Sequence, residues 1–463
     1  MRKFALLFWL NILIILVFNV VGQAQQWTLV SQNTASPRQS VPLIQATPET
    51  ALVDEIVSIR VTKLIPQQVI TVRATMLDRR GRKWQSQADF IANQAGEVDL
   101  SKQSPKQGSY LGIDAMGLFW SMDLLSEQDS NATTKPLNEP RLITVEVLIN
   151  NQTLASTVLT RQFMASEVKI QEVKDNGLVG RFFQPAQPGP RPGILVLGGS
   201  EGGLAASEQD AALLASHGYA TLALAYFGAE GLSQTLDQIP IEYLKKGLDW
   251  LATHKSVDRS KLAVFGGSKG GELALLLASL FPELKAVVAY VPSNVVWQGI
   301  GDMGPGTGSS WTYQNQPIPY VVPQVTEDFM KQDFSKSITI GPIYLEGLKD
   351  KAAVEKATIA VEKINGPVLL LSGKDDQLWP STLMAEMIIA RLRQYQHRFR
   401  YQHLCYENAG HVIGRWYAPT MRLASGGKLV LGGTPEGNAQ AQANSWPKVL
   451  QFLTESLSTE GRR

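Results

Sequence analysis

Five residues in a row carry the clearest chemical signal in this chain. Gly266-Gly267-Ser268-Lys269-Gly270 fits G-x-S-x-G. In that arrangement a serine sits on a tight strand-to-helix turn with its hydroxyl exposed above a sheet. Serine is a weak nucleophile at neutral pH and needs a base. The chain has five histidines. His217 and His254 close helical stretches and read as caps. His397 precedes the last apolar strand-like run, 399–406, and His403 lies inside it. His411 stands just beyond that run, in Asn408-Ala409-Gly410-His411, and is the candidate base. An acid should fall between serine and base in chain order, at the end of a strand. Ser372-Gly373-Lys374-Asp375-Asp376-Gln377-Leu378-Trp379-Pro380 supplies two. Asp376 fits the Gly-x-x-Asp spacing before an apolar-Pro pair; Asp375 is the competing choice and otherwise a turn residue. The acid would hold the imidazole in the right tautomer and stabilise its charged form. An oxyanion needs two N–H donors. The amide of Lys269, directly after the nucleophile, is one. The other should come from Gly199 or Ser200 in the loop Gly198-Gly199-Ser200-Glu201-Gly202-Gly203. That loop lacks the Gly-Lys-Ser/Thr of a phosphate-binding P-loop and fails the dinucleotide pattern.

These groups must be carried by a parallel sheet. Apolar runs at 194–197, 220–226, 262–265, 286–291, 368–372 and 399–406 read as buried strands. Between them, 209–217, 242–254, 273–280 and 381–395 read as helices. Strands alternating with helices imply a mostly parallel sheet covered on both faces. With the elbow and the order Ser…Asp…His, the expected fold is an α/β hydrolase spanning about 166–460. The segment 292–350 is poor in regular pattern and rich in Gly, Pro and aromatics. It reads either as an insertion roofing the site or as a surface excursion.

The first part of the chain is patterned differently. Ile56-Val57-Ser58-Ile59-Arg60-Val61, Val69-Ile70-Thr71-Val72-Arg73-Ala74 and Leu142-Ile143-Thr144-Val145-Glu146-Val147-Leu148-Ile149 alternate near period two. Turn signals at Asp78-Arg79-Arg80-Gly81-Arg82 and Asn150-Asn151 separate them. Residues 41–165 are therefore expected to form a β-sandwich that frames the catalytic half. Met116-Gly117-Leu118-Phe119-Trp120-Ser121-Met122 is too apolar for a loop. It should pack against the second domain; lining an acyl-binding site is the alternative. Residues 25–40 read as a linker. Arg2, Lys3, the apolar run 4–21 and Gly22-Gln23-Ala24 have the layout of a signal peptide cut after Ala24, and so of an exported protein. An uncleaved membrane anchor is the alternative.

Composition narrows the rest. Of 463 residues, 44% are hydrophobic and 18% charged, with a net charge of +2, so nothing points to nucleic acid. A single cysteine, Cys405, rules out an internal disulfide framework and a four-cysteine zinc site, and reads as a small buried hydrophobe. No metal or bound cofactor is called for.

The chain resembles the acyl-CoA thioesterase / bile acid-CoA:amino acid N-acyltransferase family over nearly its whole mature length. The resemblance rests on Ala51-Leu52-Val53-Asp54-Glu55 and residues 116–122 in the first half. In the second half it rests on the Gly-rich loop, Leu222-Ala223-Leu224-Ala225-Tyr226, the elbow, Gly373-Lys374-Asp375-Asp376, Ala409-Gly410-His411, Gly432-Gly433-Thr434-Pro435 and Ser445-Trp446. It implies acyl transfer from a thioester through Ser268, Asp376 and His411. In that family a cysteine nucleophile goes with transfer to amino acids and a serine with hydrolysis, so Ser268 implies water as acceptor. The substrate would be a small acyl thioester or ester. An exported carboxylesterase of dienelactone-hydrolase type is the alternative, favoured by the export signal, and a non-catalytic binding protein on the same scaffold is a third reading.

Overall fold

The computed structural model describes residues 41–126, 134–302, 304–414 and 417–458. The expected signal segment and linker, residues 1–40, lie outside them. From Val41 onward the chain forms one compact unit. Among the described residues no helix is long and apolar enough to cross a membrane.

Residues 43–162 build two antiparallel-dominated sheets. The larger pairs Val69–Leu77 with Lys83–Ile91 on one side and Arg141–Ile149 on the other, followed by Gln152–Gln162. Inward residues alternate along these strands: Ile70, Val72, Ala74 and Met76 are buried while their neighbours are not, as a half-buried strand requires. The Asn150-Asn151 turn has both residues at positive φ, 51° and 63°, which suits a two-residue hairpin joining right-twisted strands. Residues 116–122 include a one-turn helix, Gly117–Trp120. Its side chains fill the core of this half with Phe90, Val145 and Leu159. The same segment also meets the catalytic half, where the Thr420 amide donates to the Trp120 carbonyl at 2.8 Å.

The second half carries an eight-stranded sheet. In space its strands run Lys169–Val173, Val179–Gln184, Ala220–Ala225, Arg191–Leu197, Val257–Gly267, Leu284–Tyr290, Val368–Gly373 and Tyr401–Tyr406. Val179–Gln184 runs antiparallel to both of its neighbours, and the remaining pairs are parallel. One face is covered by helices Ile241–Thr253, Lys269–Leu280 and Ser381–Gln394. The other is covered by Ser207–Ser216 and Pro435–Leu457. This is the α/β-hydrolase fold with a β-sandwich before it. Chain order reverses around Arg191–Leu197, whose sequential neighbour lies on one side and Val257–Gly267 on the other. The loop after Leu197 and the elbow after Gly267 therefore leave the sheet side by side, at the switch point where such sheets place their sites.

Cys405 corrects one expectation. It is exposed, because Tyr401–Tyr406 is the outermost strand of the sheet, with no further strand beside it among the described residues. The segment 292–350 holds short strands and two short helices. Its Ser310 and Trp311 reach under the elbow helix, and its Tyr344 packs on Trp379 with ring centres 5.9 Å apart.

Candidate active site

Ser268 turns at φ 57°, ψ −124°, a strained conformation for a residue with a Cβ. Close approach on both sides enforces the turn. A Cβ on Gly266 would lie 2.1 Å from the Gly270 carbonyl oxygen, and one on Gly270 would lie 2.3 Å from the Gly198 carbonyl oxygen. The helix Lys269–Leu280 begins at the next residue. Its first amide, that of Lys269, has no carbonyl four residues back within the helix and faces the site with the helix's positive end.

His411 Nε2 lies 2.9 Å from Ser268 Oγ. His411 Nδ1 lies 3.0 Å from each carboxylate oxygen of Asp376. The Asp376 side chain is 2% exposed and that of His411 7%. The carboxylate also accepts from the Leu378 and Trp379 amides and from Ser381 Oγ, so it is held from several sides. Asp375 points elsewhere: it accepts from the Gly433 amide at 2.8 Å and from Gln377 Nε2. The structure thus brings Ser268, His411 and Asp376 together and leaves Asp375 as a brace. The other histidines have their own partners. His217 Nε2 meets Asp54, His254 Nδ1 accepts from the Ser256 amide, His397 meets the Gly366 carbonyl, and His403 Nε2 meets Ser372 Oγ.

The Gly-rich loop lies where it was expected, since Leu197 pairs with Gly266 in the sheet. A Cβ built on Gly199 would sit 3.3 Å from the Ser268 Cβ. The Gly199 amide is not free, however; it donates to Glu201 Oε1 at 2.9 Å. A short loop with a carboxylate two residues on folds back to satisfy its own amide. Tyr226, fully buried, steadies the same loop by donating to the Gly198 carbonyl at 2.7 Å. Burial pushes its phenol well above the ordinary range, so it stays a donor.

Sequence reasoning missed a buried ion pair beneath the nucleophile. Lys269 Nζ bonds both oxygens of Glu272 at 2.7 Å, and Ser310 Oγ at 2.8 Å. Glu272 is also the acceptor for Trp311 Nε1 at 2.7 Å. Burial pushes the Lys269 ammonium down and the Glu272 carboxyl up, and their mutual attraction opposes both shifts. The signal was available: a lysine and a glutamate three apart on one helix, set in an otherwise apolar run. Also unforeseen was the work of the C-terminal Gly-Gly segment. The His411 amide donates to the Leu431 carbonyl, and the Gly410 amide to Asn438 Oδ1. Gly432, at φ 79°, passes so close to Asp375 that a Cβ would lie 1.8 Å from its carbonyl oxygen.

A family model described as "Acyl-CoA thioester hydrolase/BAAT N-terminal region" matches residues 54–175. A second, "BAAT / Acyl-CoA thioester hydrolase C terminal", matches 239–459. Acyl-coenzyme A thioesterase 1 of Mus musculus is 32% identical over 88% of this chain and 94% of its own length. The chain belongs to the acyl-CoA thioester hydrolase/BAAT family. Other members include acyl-coenzyme A amino acid N-acyltransferase 1 of Mus musculus, 32% identical over 90% of this chain and 98% of its own. The mitochondrial acyl-coenzyme A thioesterase 2 of Homo sapiens is 31% identical over 87% and 82%.

Proposed function

We propose that this chain hydrolyses acyl-CoA or closely related acyl thioesters through an acyl-serine intermediate. The observation that carries the reading is the continuous hydrogen-bonded line from Ser268 Oγ through His411 to Asp376. Membership of a thioester hydrolase family supports the thioester as substrate. In the first step His411 Nε2 takes the Ser268 proton as the oxygen attacks the acyl carbonyl. Asp376 accepts from the Nδ1–H and stabilises the imidazolium that results. The Lys269 amide donates to the developing oxyanion. The intermediate collapses, the C–S bond breaks, and His411 returns its proton to the departing thiolate. His411 then deprotonates a water that attacks the ester carbonyl, and Ser268 recovers its proton as the acid leaves. The segment 292–350, resting on both the elbow helix and Trp379, is suited to cover the acyl group.

Transfer to an amine is the second reading, supported by the N-acyltransferases among the relatives. It would replace the water of the last step. One experiment separates the readings. The mature protein is given acyl-CoA and the matching oxygen ester, with and without glycine or taurine, and Ser268→Ala serves as blank. Release of free acid from the thioester, insensitive to added amine, supports hydrolysis. An N-acyl product would make it a transferase, and preference for the oxygen ester would make it an esterase. An acyl adduct on Ser268 in the mass spectrum, absent in the alanine variant, tests the intermediate. The sequence layout of residues 1–24 supports an exported enzyme; a fractionation of cells expressing the full chain, with N-terminal sequencing of the product, tests export and cleavage after Ala24.

A further inference from the structure

Arg141 and Arg161 stand directly opposite each other on neighbouring antiparallel strands. Like charges in that relation repel and destabilise a sheet. Both line one small cavity at the seam between the N-terminal sheet and the catalytic half, with Phe119, Met122, Ile143 and Tyr417. Arg161 is only 3% exposed. Its Nη2 donates to the Val53 and Glu55 carbonyls at 2.9 and 2.8 Å, but its buried Nη1 has no partner. The Arg141 Nε is likewise shut off from solvent and unpartnered.

Among the described residues, no carboxylate forms an ion pair with either guanidinium. The nearby acids bond elsewhere: Asp54 through Oδ2 to His217 and Trp446, with its buried Oδ1 open, Asp78 to Arg82 and Trp84, and Glu55 to the Leu52 amide. The remaining charge near Arg141 is Arg79, which adds to the repulsion. Burial lowers both guanidinium groups to about 10, so they remain charged at neutral pH. The charges of Asp54, Glu55 and Asp78 offset part of this repulsion, but none of these carboxylates bonds either guanidinium, and donors shut off from solvent and left open are costly. The cavity has room for one small ion.

We propose that this seam is a binding site for a single halide-sized anion, chloride in ordinary solution, held between the Arg141 and Arg161 guanidinium groups. The apolar walls suit a weakly hydrated anion, and guanidinium is itself weakly hydrated. Larger oxyanions exceed the space. The bound ion would also brace the histidine loop. Arg161 grips the Val53 carbonyl, and the same oxygen accepts from the amide of Tyr417, six residues beyond His411.

The test is thermal unfolding of the wild-type protein at constant ionic strength, with sodium chloride or bromide replacing sodium gluconate. The midpoint should rise by about 3 °C and saturate with halide concentration. Bromide-soaked crystals should show an anomalous peak between the two guanidinium groups. Equal midpoints in halide and gluconate, or water alone at that position, overturns the proposal. Arg141→Met should abolish the halide response and, in gluconate, be at least as stable as wild type, because the like-charge pair is gone. A halide response retained in that variant also overturns it.

Discussion

The nucleophile side of the site is held by backbone, while the acid–base side is held by reach. Ser268 and its neighbours take their positions from the backbone of 266–270, whose glycines let Gly266 and Gly270 pass within a Cβ's width of each other and of Gly198 on the neighbouring loop. Asp376 and His411 are instead positioned by contacts across the chain. The Asp376 carboxylate accepts from residues 378, 379 and 381; the His411 loop leans on Leu431 and Asn438; Asp375 grips the Gly433 amide. The two halves are therefore vulnerable in different places. The first fails when a backbone contact is blocked or the nucleophile removed. The second fails also through single side chains, such as Asp376, that never touch substrate.

Removing the hydroxyl should have the largest effect. Ser268→Ala is expected to lower turnover by about 10³-fold or more with unfolding midpoint and circular dichroism unchanged. Retained turnover in that variant would falsify the assignment of the whole site. On the other side, Asp376→Asn is expected to lower kcat by about 10³- to 10⁴-fold, because the imidazole loses its orientation and its counter-charge. Asp375→Asn keeps an oxygen for the Gly433 amide and should cost less than about tenfold. Steady-state kinetics on the two variants side by side decides the matter; an equal loss in both would mean that the brace and the acid cannot be told apart.

This contrast also governs what could be read from the sequence. The elbow was legible because its chemistry is local: G-x-S-x-G, an apolar strand before it and an apolar helix after it are all contiguous. The alternating elements of the sheet were legible for the same reason, and Asp376 and His411 followed from chain order and from their places after strands. What joins them was not legible. Nothing near His411 announces that Asn438 will satisfy the Gly410 amide, since the bond spans 28 residues. Nothing near Lys269 announces that Ser310 and Trp311, some 40 residues on, will close over its ion pair. Cys405 was misread because periodicity gives a strand but not its rank in the sheet, and an edge strand leaves such a side chain uncovered. Gly199 lies beside the nucleophile, where its place after a strand put it, but the carboxylate two residues later was not credited with reaching its amide.

At the buried pair the nucleophile side also depends on side chains. Glu272→Gln leaves the Lys269 ammonium buried without counter-charge, which costs about 3–5 kcal/mol. The expected result is a clear drop in unfolding midpoint together with a fall in kcat larger than any change in KM. Lys269 carries both the buried charge and the oxyanion amide, so displacing one disturbs the other. An unfolding midpoint and kcat equal to wild type would show that the elbow stands on backbone alone.

The smallest expected effect lies at Glu201. Its carboxylate holds the Gly199 amide at 2.9 Å, the very group placed to serve as second oxyanion donor. The Lys269 amide has no such tether within its helix. If both amides serve, the bond to Glu201 must open in each turnover. A charge-assisted hydrogen bond at an exposed site contributes about 1 kcal/mol, so Glu201→Ala should raise kcat by about fivefold. Glu201→Gln, which still accepts but without the charge, should fall between the alanine variant and wild type. The reading fails if kcat is unchanged in both variants, because Gly199 would then not be a donor. It fails in the other direction if kcat drops tenfold or more, because the carboxylate would then be holding the loop in its working shape. Either result would leave the Lys269 amide as the one assigned donor and move the search for its companion to the Ser200 amide.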